Sequence, residues 1–259
     1  MKIAALYDIH GNLPALNAVL AELDAIQPDL IVVGGDIVHG PMPGQTLERL
    51  AQLGERVRCI RGNADREDVQ AYDGQPLGPT TSDEVRASAQ WVAEHLTRAQ
   101  RDFLARLPEQ LALPVEGLGR VVFCHATTRN DEEIFTPITP QDRLDIIFAL
   151  VPAEIVVCGH THMQFERRVG ALRIINAGSI GMPYSDQPGA YWLLLSPAGY
   201  EFRCTPYDTE AAAQAIRESG YPGADALATE NVLTVPTAAE ATAVFEPMAE
   251  QRWLREQAN

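Results

Sequence analysis

Apolar residues recur along this chain in short, β-branched runs, and each run stops at a polar residue. Ile3 to Tyr7, Leu30 to Val33, Val57 to Ile60, Arg120 to Cys124 and Glu154 to Cys158 have the length and composition of buried strands. Helical spacing separates the first two. Asn12 is placed to cap a helix, Pro14 suits its first turn, and Leu16, Val19, Leu20 and Leu23 line one face. A second helix is predicted over roughly Thr46 to Leu53. Strands alternating with helices predict an α/β fold.

The rhythm then changes. Arg66 to Thr81 is polar, with Pro and Gly and no apolar period, and reads as irregular. Ser82 to Leu107 reads as two helices, the second opened by a Thr97–Gln100 capping box. This insert is either a wall beside a site or an ordinary cover for a sheet. A helix is predicted over Gln141 to Leu150. Two hairpins follow, Phe165–Val169 with Leu172–Ile175 and Ala190–Leu195 with Tyr200–Thr205. Asp208 then caps a further helix. The chain from Gly220 is irregular until Thr237 and Glu240 form a second capping box and open a final helix.

The residues that end the strand-like runs carry the candidate chemistry: Asp8 and His10, then Asp36, Asn63, His125, and His160 with His162. Open α/β sheets place their sites beyond the carboxyl ends of their strands. All seven are oxygen or imidazole donors without a thiolate. That set suits manganese, iron, zinc, nickel or cobalt and is too rich in nitrogen for calcium or magnesium. Seven ligands exceed what one open site uses and suit two adjacent divalent ions, with Asp36 as the bridging carboxylate.

Composition narrows the partners. A net charge of −15 disfavours long nucleic acid, whose phosphates need a basic footprint, yet leaves open a small phosphorylated substrate held by metal ions. No apolar run has the length of a membrane span. The opening residues read as a strand and not as a signal peptide, and the four scattered cysteines read as reduced core residues. Both point to the cytoplasm. Oligomeric state stays open.

Asp8-x-His10, Gly35-Asp36, Gly62-Asn63, His125 and Gly159-His160-x-His162 together resemble the ordered signature of the calcineurin-like metallophosphoesterases, over roughly residues 3 to 207. Asp8-Ile9-His10-Gly11-Asn12 and Gly178-Ser179-Ile180-Gly181 further resemble the bacterial YfcE-like phosphodiesterase branch. The resemblance implies a four-layer α-β-β-α sandwich of two mixed sheets, with the helical insert of about 82–107 beside the site. It implies a core over residues 1–207 and a helical extension, 208–259, packed on the same domain. It also implies two divalent ions, manganese first. One would be held by Asp8, His10, Asp36 and His162, the other by Asp36, Asn63, His125 and His160. Asp36 and Asn63 are catalytic in that scheme, in which a metal-bridging hydroxide attacks phosphorus.

One position departs from the pattern. Many members carry histidine after the Gly-Asn pair, and Ala64 stands there in this chain. Ala64 has no proton to give, which favours acidic leaving groups and diesters over monoesters. His39, just after Asp36, is the candidate replacement donor, with a solvent-facing loop histidine as the alternative. Arg129, Arg66 and Asn12 are candidate substrate contacts. Against them stand ion pairs with nearby acids and, for Asn12, the helix cap. Asp65 reads as a brace and Trp91 as core packing. The predicted activity is hydrolysis of small nucleotide-like or aryl phosphodiesters. The alternatives are a phosphomonoesterase and a non-catalytic scaffold such as the retromer subunit that shares the fold.

Overall fold

The computed structural model describes residues 1–79 and 81–257; Thr80, in the segment expected to be irregular, and residues 258–259 of the C-terminal extension lie outside the described residues. The chain runs β1 (Ile3–Leu6), α1 (Leu13–Ile26), β2 (Leu30–Val33), α2 (Pro43–Ala51), β3 (Val57–Cys59), α3 (Asn63–Tyr72), α4 (Asp83–Glu94) and α5 (Arg98–Leu104). It continues through β4 (Gln110–Val115), β5 (Gly119–Cys124), α6 (Gln141–Ile147), β6 (Ile155–Cys158), β7 (Gln164–Val169), β8 (Leu172–Ala177), β9 (Ala190–Ser196) and β10 (Gly199–Thr205). Three helices close it: α7 (Thr209–Glu218), α8 (Ala224–Ala228) and α9 (Ala238–Gln257).

The strands form two mixed five-stranded sheets, in the orders β10-β9-β1-β2-β3 and β4-β5-β6-β8-β7. In the first, β1, β2 and β3 run parallel and β9 pairs antiparallel to β1. In the second, β5, β6 and β8 run parallel, flanked by antiparallel β4 and β7. Alternation along each central strand sends side chains to two dry layers, so these strands are apolar throughout. Ile3, Ala5 and Tyr7 meet Phe123, Val157 and Ile175 between the sheets. Ala4 and Leu6 instead meet α1 through Leu16, Val19 and Leu20, with Val92 of α4 and Leu104 of α5 in the same layer. On the far side, Val122, Val156 and Ile174 pack against Leu144 and Ile147 of α6 and Ala241 of α9. The result is the four-layer α-β-β-α sandwich, with Tyr7 Oη donating across it to Val157 O at 2.9 Å.

Caps written in the sequence form as expected: Asn12 accepts from Ala15 N, Asp208 from Ala211 N, and Thr97 and Thr237 make capping boxes with Gln100 and Glu240. Three readings need correction, and one strand has no counterpart in the sequence reading. The stretch after Asn63 is a helix, because the residues α3 buries are Ala64, Asp65 and Asp68, and hydrogen bonds rather than apolar spacing hold it. Gln110–Val115 is an edge strand beside β5, where Pro114 is tolerated. The second helix starts at Pro43, and Thr46 turns its hydroxyl back to Met42 O. The stretch after Gly220 holds α8 and one wide turn, Thr229–Leu233. The insert of α4 and α5 covers the first sheet, and α4 packs on α3.

Candidate metal centre

The parallel strands of both sheets end at one edge of the sandwich, and the loops leaving them converge there. They do so under backbone strain. Among the described residues, the non-glycine positions with positive φ are Asp8, His10, Gln27, Asp36, His160 and His162. All but Gln27 are candidate ligands. The left-handed region costs an L-residue on the order of 1–3 kcal/mol, and such strain collects where function fixes side-chain direction. Small neighbours let the loops close. A Cβ on Gly62 would lie 2.1 Å from Asp36 Oδ1, and one on Gly159 would lie 2.3 Å from Asp8 Oδ2.

Two groups of donors result. Asp8, His10 and His162 form one, and Asp36, His125 and His160 the other, each with ligand atoms within 4.8 Å of one another. Backbone carbonyls set the tautomers. His10 Nδ1 faces His39 O at 3.0 Å, His125 Nδ1 faces Gly34 O at 3.0 Å, and His162 Nδ1 faces Met182 O at 2.8 Å. Each Nδ1–H donates outward, which leaves Nε2 as the ring atom directed inward, available as a ligand wherever it carries no proton. The groups adjoin at Asp36, whose Oδ2 lies 3.7 Å from His10 Nε2 and 3.4 Å from His125 Nε2. Its Oδ1 accepts from Ala64 N at 2.9 Å, so the carboxylate cannot swing away.

The donor set fits cations. His10 Nε2 and His162 Nε2 stand 3.2 Å apart, yet both Nδ1 protons are already committed to carbonyls. Asp8 Oδ1 is buried and accepts no hydrogen bond. Asn63 presents Oδ1 to His125 Nε2 at 3.1 Å. Without a cation the amide is better satisfied turned over, its nitrogen donating to His125 Nε2 and His160 Nδ1 and its oxygen accepting from Ala64 N, whereas a bound cation would take the oxygen instead.

Titration in the cluster follows the same logic. Burial opposes charge on Asp36 and Asp8, but His125 beside Asp36 and His162 beside Asp8 outweigh it and hold both carboxyls below their usual range. Burial, then the neighbouring His162, lowers His10 to about 4; burial, then His125, lowers His160 to about 4. His125 goes up, to about 10, because Asp36 and Asp8 overcome its burial. The carboxylates therefore demand positive charge, and in the metal-free chain a proton on His125 supplies it. A cation would displace that proton.

The remaining candidates sit around this centre. His39 is not a solvent-facing loop residue: it is largely buried, its Nδ1 donates to Asp68 Oδ1 at 2.8 Å, and its ring lies 6.3 Å from that of His10. Burial opposes its charge, but Asp68 lifts it to about 9. Asn12 spends its amide on Ala15 N and Gly181 O. Arg66 grips Asp131 and Glu132, and Arg129 lies between Glu133 and Glu256, so both guanidinium groups are engaged by acids. Asp65 braces the Asp36 loop through the N–H groups of Asp36, Ile37 and Gly62. Sequence reasoning missed Asp68 and Tyr184. The Tyr184 ring stacks on His162 at 5.5 Å, and no spacing pattern marks it.

Comparison with known proteins agrees with this geometry. The family model described as the calcineurin-like phosphoesterase superfamily domain matches residues 1–196. Phosphodiesterase YfcE of Escherichia coli is 26% identical over 203 residues, which cover 75% of this chain and 87% of YfcE. The hypothetical protein PH1004 from Pyrococcus horikoshii superposes with a TM-score of 0.77 at 20% identity, covering 90% of this chain and 99% of its own. A metallophosphoesterase from Sphaerobacter thermophilus superposes with a TM-score of 0.70 at 24% identity, covering 93% and 99%. With the signature residues brought to one edge of the matching fold, the chain belongs to the calcineurin-like phosphoesterase superfamily, a family of phosphoester hydrolases.

Proposed function

We propose that this protein is a divalent-metal-dependent phosphodiesterase acting on small nucleotide-like or aryl phosphodiesters. The observation that carries the reading is the position of Asp36 Oδ2, within 3.7 Å of an imidazole from each donor group. Two ions would be held by Asp8, His10 and His162 with Asp36, and by Asp36, Asn63, His125 and His160; when bound they would lower the pKa of water and neutralise charge on the phosphoryl oxygens. Manganese is the proposed metal, with iron, zinc, nickel or cobalt as alternatives.

The chain's own part is positional. Asp36, pinned by Ala64 N and by Asp65, fixes the separation of the two groups. The carbonyls of His39, Gly34 and Met182 hold the imidazoles in the tautomer that presents Nε2 inward. Asn63, the first residue of α3, brings its side-chain amide to within 3.1 Å of His125 Nε2, where its oxygen would face a bound ion. His39, kept protonated by Asp68, is the proposed donor to the leaving-group oxygen in place of the side chain Ala64 lacks. Preference for diesters follows from charge. A monoester dianion asks for additional cationic contacts, whereas Arg66 and Arg129 are already neutralised by acids. We place residues 208–259 with the core as one domain, since α9 packs on the second sheet and α7 closes over Met42 and Met182.

No helix among the described residues is long and apolar enough to cross a membrane. Purified protein with manganese, assayed on bis(4-nitrophenyl) phosphate and 4-nitrophenyl phosphate, tests the reading. The diester should be favoured by about tenfold or more in kcat/KM. Turnover of neither ester would sink it, and equal or better turnover of the monoester would turn it into a phosphomonoesterase.

A further inference from the structure

A cavity of about 580 Å³ opens beside the loop that follows Asp36. Pro41 and Met42 of that loop form one wall, and Trp91 and His95 at the end of α4 form another. The volume is that of a site for a small organic ligand. Its position ties it to the centre. A Cβ on Gly11 would lie 3.1 Å from Met42 N, so the backbone of a lining residue rests on the neighbour of His10. Met42 also packs in the same cluster as Met182, whose carbonyl orients His162. Tyr221 meets Trp91 edge to face at 5.3 Å.

The lining has a chemical bias. Trp91 and His95 are stacked at 3.8 Å with 20° between their planes, which builds an aromatic slab at the rim. Trp91 is half-buried against the core, so the core-packing reading of this residue holds for one part of its ring only. The lining's charged groups are the carboxylates of Glu48 and Glu218, and it holds neither Lys nor Arg. Such a surface repels phosphate. It suits a flat, neutral heterocycle whose amino protons find acceptors.

We propose that this cavity is the base subsite of the enzyme, holding a nucleobase with an exocyclic amino group while the phosphodiester lies at the metal centre. The inference rests on the phosphodiesterase reading and narrows its substrate class to nucleotide diesters. The loop between the two places lies directly on the centre: Gly40 packs so tightly on His10 that a Cβ there would lie 1.8 Å from His10 O.

The test compares two diesters with one leaving group, the 4-nitrophenyl ester of AMP and methyl 4-nitrophenyl phosphate. Ala215→Trp fills the cavity from α7 without touching the centre, and His95→Ala removes half of the slab. The first should raise KM for the AMP ester by about tenfold or more, and the second by about threefold or more, the range of a lost base stack. Hydrolysis of the methyl ester should change less than about twofold in both. Equal effects on the two esters, or none on either, would overturn the proposal. If the wild-type protein cleaves neither ester, the phosphodiesterase reading fails on its own. Calorimetric titration with adenosine then decides the subsite, since binding that Ala215→Trp abolishes supports it and the absence of binding rejects it. Should Ala215→Trp not fold, His95→Ala carries both comparisons.

Discussion

Asp65 accepts a hydrogen bond from the backbone N–H of Asp36 at 2.8 Å, so one buried carboxylate on α3 holds the backbone of another at the end of β2. The same side chain takes the N–H of Ile37 at 2.8 Å and of Gly62 at 3.0 Å. It thereby joins the loop that carries Asp36 to the loop that carries Asn63. Removing it leaves three buried donors unpaired, each costing on the order of 1–3 kcal/mol before relaxation. Asp65→Ala should therefore lower the melting temperature strongly and lose activity as well. Asp65→Asn, which keeps one acceptor oxygen, should fall between. Calorimetry of the three proteins checks the order, and an Asp65→Ala protein as stable as wild type would contradict it.

Asp36 is placed where one side chain reaches both donor groups, and Asn at that position keeps shape while losing charge and one acceptor oxygen. Asp36→Asn should reduce diesterase activity by about 10²-fold or more, and should reduce metal stoichiometry as well. In the metal-free protein the same change removes the first-ranking cause of the raised His125 pKa, now about 10. The His125 imidazole signals in NMR should then titrate at lower pH. Unchanged turnover would refute the bridging role outright.

Much of this is readable in the sequence. The strands were legible because central strands buried on both faces are continuously apolar, as in Leu30 to Val33 and Ile155 to Cys158. Their terminal donors were legible because a run that ends in Asp, Asn or His at each strand signals a shared edge. What escaped was polar and buried. Asp68 is fully enclosed, held by His39 rather than by any apolar period, so α3 left no pattern. The local Arg129–Glu133 pair was legible, but Arg66 pairs with Asp131 and Glu132 on a distant loop and not with its neighbours Glu67 or Asp68, which depends on tertiary placement. Glu256 lies 127 residues from Arg129, beyond any local rule.

Chelation offers a test that needs no mutation. The two donor groups bury the carboxylates of Asp8 and Asp36, whose negative charge bound cations would neutralise. EDTA followed by desalting should abolish activity and lower the melting temperature, and manganese should restore both. With metal at 100 times its dissociation constant, one site adds about 2.7 kcal/mol to stability. Activity that survives full removal of metal, verified by elemental analysis, would contradict the assignment.

His39 gives two readings that a structural role alone would not produce together. As the donor to the leaving group, it matters most for poor leaving groups. His39→Asn should slow an alkyl phosphodiester by about 10²-fold and a 4-nitrophenyl diester far less. Stability supplies the pH dependence. The folded-state pKa of His39, about 9, lies above the ordinary value for histidine, so the stabilisation from its pairing with Asp68 is complete below pH ~6.5 and is lost as pH rises through about 9. Burial also raises Asp68, despite the facing imidazolium, which offsets part of the gain. In metal-free protein, the melting temperatures of wild type and His39→Asn should therefore differ at pH 6 and converge above pH ~9. A gap that stays constant across that range would show that His39 is held by packing and not by charge, and equal slowing of both esters would remove it from proton transfer.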